Sequence, residues 1–283
     1  MQTWLSAAVA AAAEAGEAIL RLYGRAVAVE TKADQSPLTA ADRASHECLV
    51  ARLGAGAAAL PVLSEEGQAR PYAERRAWER FWLIDPLDGT KEFLKRNGEF
   101  TVNVALVEAG RPVLGVVLAP VTGVVYVGAR GLGAYKAEPG RHYREASDLV
   151  SGAADPAAAG WLRLPSVAMT PGCVRVVSSR SHENDATRAY LAALEASAGR
   201  VERLAIGSSL KLCLVAEGAA DLYPRLAPTM EWDTAAAQAV VEAAGGAVLE
   251  HPGGQPLRCN KADLHNPFFV ACRAGLSTAG VRF

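Results

Sequence analysis

Four acidic residues, far apart in the chain, have the types and settings that could carry chemistry. Asp85 and Asp88 stand three residues apart in Asp85-Pro86-Leu87-Asp88-Gly89-Thr90, where Pro86 stiffens the backbone and Gly89 lets a turn tighten, so both carboxylates can face one point. Upstream, Ser64-Glu65-Glu66-Gly67 follows the apolar run Leu60 to Leu63, and far downstream Trp232-Asp233-Thr234 opens an alanine-rich helix that ends at Gly245-Gly246. Taken singly, Asp-Gly is an ordinary turn, Glu65 a surface acid and Asp233 a helix N-cap. If the four converge, neighbouring pairs at about 5 Å repel by roughly 3 kcal/mol each at an effective dielectric of 20, a cost that calls for a multivalent cation. Oxygen donors without cysteine or clustered histidine favour Mg²⁺ or Mn²⁺ over zinc. The chemistry open to such a cluster is metal-assisted hydrolysis.

Several elements must position these acids. Phe81-Trp82-Leu83-Ile84 reads as a buried strand that stops at Asp85-Pro86. A first amphipathic helix carries Leu5, Val9, Ile19 and Leu22 on or near one face, and a second runs from about Ala40 to Leu53 with Thr39 as its N-cap. Between them lie a strand-like Ala26 to Glu30 and a polar loop, Lys32 to Pro37. From Thr101 to Tyr135, β-branched runs broken by turn residues predict an antiparallel meander. The Ala-, Pro-, Ser- and Gly-rich stretch 147–172 has no clear period and is expected to be a linker or an insertion. Beyond it, strands at Val174–Val177, Leu204–Ile206, Asp221–Tyr223, Ala247–Leu249 and Phe268–Cys272 alternate with helices near Asn184–Ala198, Leu210–Glu217 and Thr234–Ala244. The division expected is therefore an α+β half over 1–146, the 147–172 stretch, and an α/β half over 173–283.

With 283 residues, 51% of them hydrophobic, the chain can bury one large core or two modest ones. Its 29 Lys and Arg against 30 Asp and Glu, without a long basic run, argue against nucleic acid or an anionic membrane surface as partner. Five cysteines, at 48, 173, 213, 259 and 272, form no Cys-x-x-Cys pair and read as reduced thiols in a cytosol. The alanine-rich start has no preceding Lys or Arg and is followed by Glu14 and Glu17, unlike a signal core, and no stretch of about 20 apolar residues could span a bilayer.

Three separated motifs in the right order then make the sequence recognisable. Glu65-Glu66, Trp82-Leu83-Ile84-Asp85-Pro86-Leu87-Asp88-Gly89-Thr90 and Trp232-Asp233-Thr234-Ala235-Ala236 resemble the acidic pair and the two signatures of the inositol monophosphatase superfamily of lithium-sensitive phosphatases. Within it the likeness is to the CysQ-type 3'(2'),5'-bisphosphate nucleotidases. It is carried by Lys91-Glu92-Phe93 to Thr101, by Ser178 to His182, by Ile206-Gly207-Ser208-Ser209-Leu210-Lys211 and by Leu222-Tyr223-Pro224-Arg225. It runs from about Lys32 to Gly246 and departs in the stretch after Ser147.

The resemblance implies a layered α+β and α/β sandwich of alternating helices and sheets, with the active site between the halves. It implies two or three Mg²⁺ ions per site, with Mn²⁺ as an alternative. One ion would be held by Glu65, Asp85 and the Leu87 carbonyl and a second by Asp85, Asp88 and Asp233, so that Asp85 bridges them. Thr90 and Asp42 would stand behind the nucleophilic water and count, with Glu65, as catalytic; Asp42 would be the base or a third-metal ligand. Gly89 and Thr90 amides would meet phosphate oxygens. Ser179, His182, Gly207 and Lys211, with Asp233, would hold the nucleotide, Lys211 as a point charge for its second phosphate.

The reaction so implied is hydrolysis of adenosine 3',5'-bisphosphate to AMP and phosphate, with the corresponding phosphosulfate as a further substrate, in support of sulfate assimilation. Activity on inositol monophosphate or fructose 1,6-bisphosphate keeps the same core and stands as the alternative. A nucleotide-sensing protein with a relic site is the alternative of another class. A cytoplasmic protein follows, with a homodimer and a peripheral place on the inner face of a membrane both left open.

Overall fold

The computed structural model describes residues 1–25, 28–31, 37–178 and 184–276. The first half runs α1 (Gln2–Leu22), β1 (Val29–Thr31), β2 (Pro37–Thr39), α2 (Ala40–Leu53), β3 (Val62–Ser64), α3 (Tyr72–Arg75), β4 (Arg80–Asp88), α4 (Thr90–Lys95), β5 (Thr101–Glu108), β6 (Arg111–Ala119), β7 (Val124–Ala129) and β8 (Gly133–Ala137). Then come α5 (Ala146–Gly152), β9 (Leu162–Arg163), β10 (Cys173–Ser178), α6 (Asp185–Ala198), β11 (Arg200–Ala205), α7 (Leu210–Glu217), β12 (Leu222–Arg225), α8 (Glu231–Ala243), β13 (Ala247–Glu250) and β14 (Phe269–Cys272).

A seven-stranded sheet has the sequential order β3 to β9, antiparallel throughout except for the parallel pair β3 and β4. Its central strands are apolar on both faces because both are covered. Trp82, Ile84, Val102, Val104, Leu106, Val116, Val125 and Val127 face one core with α1 and α2, while Phe81, Leu83, Ala105, Val107, Val117 and Tyr126 face a second core with α7 and α8. The meander expected over Thr101 to Tyr135 is β5 to β8. The stretch 147–172 supplies most of α5, which packs on α1, and β9, which pairs with β8.

The five-stranded sheet has the order β11-β10-β12-β14-β13, with β10 parallel to both β11 and β12 and the β12, β14 and β13 pairings antiparallel. Val248, Phe269 and Ala271 of this sheet join the core beneath α7 and α8; Val176, Leu222 and Val270 turn the other way to a third core with Leu191 and Leu194 of α6. The result is five alternating layers: α1 and α2, the large sheet, α7 and α8, the small sheet, α6. All five cysteines are free thiols, and among the described residues no helix is long and apolar enough to cross a membrane.

The central helix layer sits unusually close to the large sheet. An added Cβ on Gly115 of β6 would lie 1.9 Å from the Ala236 carbonyl oxygen, and one on Gly128 of β7 would lie 2.5 Å from Val240 Cα. Small residues on both surfaces, glycine on the strands and alanine along α8, allow this approach. Gly115→Ala must push α8 off the sheet, and overpacking of this kind costs about 1–3 kcal/mol. Thermal unfolding should show Tm lowered by roughly 3–10 °C for a chain of this size; a Tm within about 1 °C of the parent would show that the approach is not tight.

Candidate active site

In β4, Asp85 lies opposite Asn103 of β5 and Asp88 lies opposite Thr101, so three steps on one strand match two on the other. That extra residue is a β-bulge. In an unbroken strand, residues three apart face opposite sides; the bulge returns Asp88 to the face of Asp85. The strand therefore does not stop at Asp85-Pro86 as expected but runs on to Asp88. Pro86 has no N–H to lose from the ladder at the bulge. The turn falls instead at Gly89, whose φ of 97° suits glycine and opens α4.

The face carrying both aspartates looks toward the α7 and α8 layer. Asp85 is 1% exposed and its Oδ1 accepts from the Leu87 amide at 3.0 Å. Glu65 follows β3, its own amide donating to Ile84 O at 3.3 Å. Asp88 Oδ2 accepts from the Ser209 amide at 2.6 Å, at the head of α7, and Asp233 Oδ2 accepts from the Met230 amide at 2.9 Å. Asp233 is thus the third residue of α8, with Met230 as the N-cap, not the N-cap itself.

Burial first, then the charges of Glu65, Asp88 and Asp233, hold the Asp85 carboxyl well above the usual carboxylate range. Burial likewise raises Asp88, against the pull of Lys211, and it pushes Asp233 up to about 8 with the help of Asp88. Among the described residues no three acid, histidine or cysteine side chains already close on a point tightly enough to hold an ion. The donor set still fits a hard divalent cation. It is all oxygen, it is mutually repulsive, and Asp85, Asp88 and Asp233 each fix one oxygen on a backbone N–H and leave a second for the cluster.

Asp42, in the first turn of α2, is buried. Its Oδ2 accepts from the Thr39 amide at 2.7 Å and the Thr39 hydroxyl at 2.6 Å, closing the capping box of α2, and its Oδ1 accepts from Thr90 Oγ1 at 3.1 Å. Thr90 Oγ1 also lies 3.5 Å from the Leu87 carbonyl oxygen. Ser45 Oγ donates to Pro86 O at 2.6 Å and pins the bulge to α2.

A cleft beside the acids is lined by Asp88, Gly89, Glu92, Glu99, Gly207, Lys211 and Arg225, among others. The parallel strands β11 and β12 both end at its edge, the side of an α/β sheet where ligands bind. Lys211 Nζ donates to Ser208 O at 2.6 Å and lies 5.8 Å from the Tyr223 ring centroid; burial lowers its pKa to about 8 although Asp88 pulls it up. Gly207 packs against the Glu99 backbone, where a Cβ would come within 2.7 Å of the carbonyl oxygen, and its amide donates to Glu99 Oε2 at 2.9 Å. Ser179 and His182 lie outside the described residues.

Sequence reasoning named no role for Asn103, Ser209 or Arg225. Arg225 shares a strand face with Tyr223, its Nη2 donates to Pro228 O at 2.9 Å, and its buried Nε meets no acceptor among the described residues. The signal for Asn103 was a polar residue at an inward position of an apolar strand; for Arg225 it was period two from Tyr223.

The raised carboxyl groups make stability depend on pH. Asp233 has a folded pKa near 8 against an ordinary 3.8, so its contribution is fully present below about pH 4 and is lost as pH rises towards 8. Lys211, lowered to about 8, acts only above that window. In EDTA, Tm should therefore fall between pH 5 and 8, by roughly 5 °C, and Mg²⁺ should restore more of it at pH 8 than at pH 5. A Tm in EDTA that rises over this range, with no effect of Mg²⁺, would contradict the burial of these acids.

Residues 1–276 match the family described as the Inositol monophosphatase family. The 3'(2'),5'-bisphosphate nucleotidase CysQ of Salmonella typhimurium is 46% identical over 245 residues, 86% of this chain and 88% of that protein, and the CysQ of Buchnera aphidicola is 39% identical over 86% and 83%. Among solved structures, CysQ from Bacteroides thetaiotaomicron superposes with a TM-score of 0.83 at 45% identity, covering 98% of this chain and 99% of that one. An inositol monophosphatase from Thermotoga maritima, 22% identical with a TM-score of 0.68, shares the fold. A match over nearly the whole chain, together with the acids gathered beneath the β4 bulge, makes this chain a member of the inositol monophosphatase family of metal-dependent phosphatases.

Proposed function

We propose that this chain hydrolyses the 3'-phosphate of adenosine 3',5'-bisphosphate, giving AMP and phosphate, and acts on the corresponding phosphosulfate. The observation that carries the reading is that the buried acids Asp88 and Asp233 and the cations Lys211 and Arg225 line one cleft. A substrate with two phosphates, one for each charge type, suits that arrangement. Relatives at 46% identity that bear the bisphosphate nucleotidase name support it.

In this reading Glu65, Asp85 and the Leu87 carbonyl would hold one Mg²⁺ and Asp85, Asp88 and Asp233 another, while Asp42, both of whose oxygens are engaged by Thr39 and Thr90, would serve as the base rather than as a ligand of a third ion. Mn²⁺ suits the same oxygens. Ions bound there supply positive charge that makes water more acidic and neutralises the leaving oxygen. The chain's own part is orientation and proton handling. Asp42 takes the hydrogen bond of Thr90 Oγ1, which turns the hydroxyl's lone pairs outward to accept from a water. As that water attacks phosphorus, its proton passes toward Thr90 and Asp42, and the ester oxygen leaves with a proton from solvent. Gly89 and Thr90 amides face the phosphate oxygens at the start of α4. Lys211 and Arg225 hold the second phosphate, and burial of Lys211 strengthens its attraction for an anion.

Two measurements test this. Phosphate release from adenosine 3',5'-bisphosphate should require Mg²⁺, and Asp85→Asn should lower kcat/KM by roughly a thousandfold while the protein stays folded; an inert parent protein across a panel of phosphoesters would favour the sensing role instead. Lys211→Ala should raise KM for the bisphosphate about 10- to 100-fold, the worth of one charge-assisted hydrogen bond, and change KM for inositol 1-phosphate far less. Equal effects on both substrates would count against a nucleotide as the natural substrate.

A further inference from the structure

Behind the acids lies a polar cluster that the proposed reaction leaves unused. Asn103, Thr101 and Ser209 are 1%, 0% and 4% exposed, set between the large sheet and the head of α7. Asn103 sits directly across from Asp85 in the β4 and β5 ladder. Its Oδ1 accepts from Ser209 Oγ at 2.8 Å and from Thr101 Oγ1 at 3.0 Å, and the two hydroxyls are themselves 2.8 Å apart. With its oxygen so engaged, its amide nitrogen must face the other way, where Nδ2 meets Asp88 Oδ2 at 3.5 Å. The reversed amide would set its oxygen against that carboxylate and cannot compete.

We propose that Asn103, locked by Ser209 and Thr101, is a positioning residue that aims Asp88 at the cation site; the inference rests on the metal-dependent reading above. Asn103 Nδ2 and the Ser209 amide both address Oδ2, so Oδ1 is the oxygen offered to a cation. Ser209 does two jobs at once. Its amide holds Asp88 and its hydroxyl holds Asn103, and Lys211 stands two residues further along the same chain segment. The aim of a carboxylate from one half of the molecule is thereby tied to the helix that carries Lys211 from the other. Partners of metal ligands in such positions change metal affinity by about 10- to 100-fold when removed.

The test is titration of Mn²⁺ into the intact protein without substrate, followed by calorimetry, with Tm measured in EDTA on the same samples. Asn103→Ala should weaken Mn²⁺ binding about tenfold and leave Tm in EDTA within about 3 °C of the parent. A purely structural role would lower Tm and leave the affinity of the folded protein alone. Ser209→Ala keeps the backbone N–H on Asp88 and should weaken binding several-fold, and Ser209→Thr, which keeps the hydroxyl, should restore it. If Asn103→Ala fails to fold, the Ser209 pair carries the decision. Parent-like Mn²⁺ affinity in Asn103→Ala, or in Ser209→Ala where the first does not fold, overturns this inference alone; a parent protein that takes up no Mn²⁺ overturns the metal reading as well.

Discussion

Carboxylates that repel one another stay together only where the backbone leaves them no other direction, and here that constraint is the single extra residue in β4. Without the bulge, Asp85 and Asp88 would point to opposite faces of the sheet, one into the core beneath α1 and α2. With it, both look toward the helix layer between the two sheets. Leu87, between them, takes the other face and joins the first core. The bulge is held from the α2 side by Ser45 on the Pro86 carbonyl.

The helix layer completes the site because α7 and α8 both begin there. Their N-terminal amides, at Ser209 and Met230, donate to Asp88 and Asp233, so the positive ends of two helices offset part of the repulsion among the acids. Other anchors set where those ends fall. Glu231, fully buried, accepts from the amides of Asn260 and Lys261 and from Lys261 Nζ, which fastens the start of α8. At the far end of α7, Glu217 accepts from Tyr126 and Lys136 of the large sheet, so the helix is tied at both ends to the half that carries the bulge. The close seat of α8 on Gly115 and Gly128 sets the depth at which Asp233 reaches the other acids.

The cleft therefore has two kinds of wall. One is acidic and buried, the other carries Lys211 and Arg225 at the carboxyl ends of the small sheet's parallel strands. The site gathers groups that are unfavourable alone: the raised carboxyls of Asp85, Asp88 and Asp233 and the buried ammonium of Lys211. Their juxtaposition lets Asp88 and Lys211 stabilise each other's charge, and it leaves room between them for a ligand that satisfies both.

Local rules in the sequence determined the elements. The β-branched runs and turn residues of β5 to β8, the capping Thr39, the helices at Leu210–Glu217 and Asp185–Ala198 and the acidic motifs are all readable because they depend on neighbours a few residues away. The three motifs also named the family, since their types and order survive without any coordinates. Only the tertiary structure decided which face each acid occupies. A strand read from Phe81 to Ile84 gives no sign that a bulge will carry it past Pro86 to Asp88, because the extra residue exists only relative to β5. In the same way Asn103 looks like a misplaced polar residue until Ser209, more than 100 positions away, closes on it. Asp42 looks like a surface acid until Thr90 arrives from β4 and α4. Facing, pairing and burial belong to contacts between distant segments, and no local period encodes them.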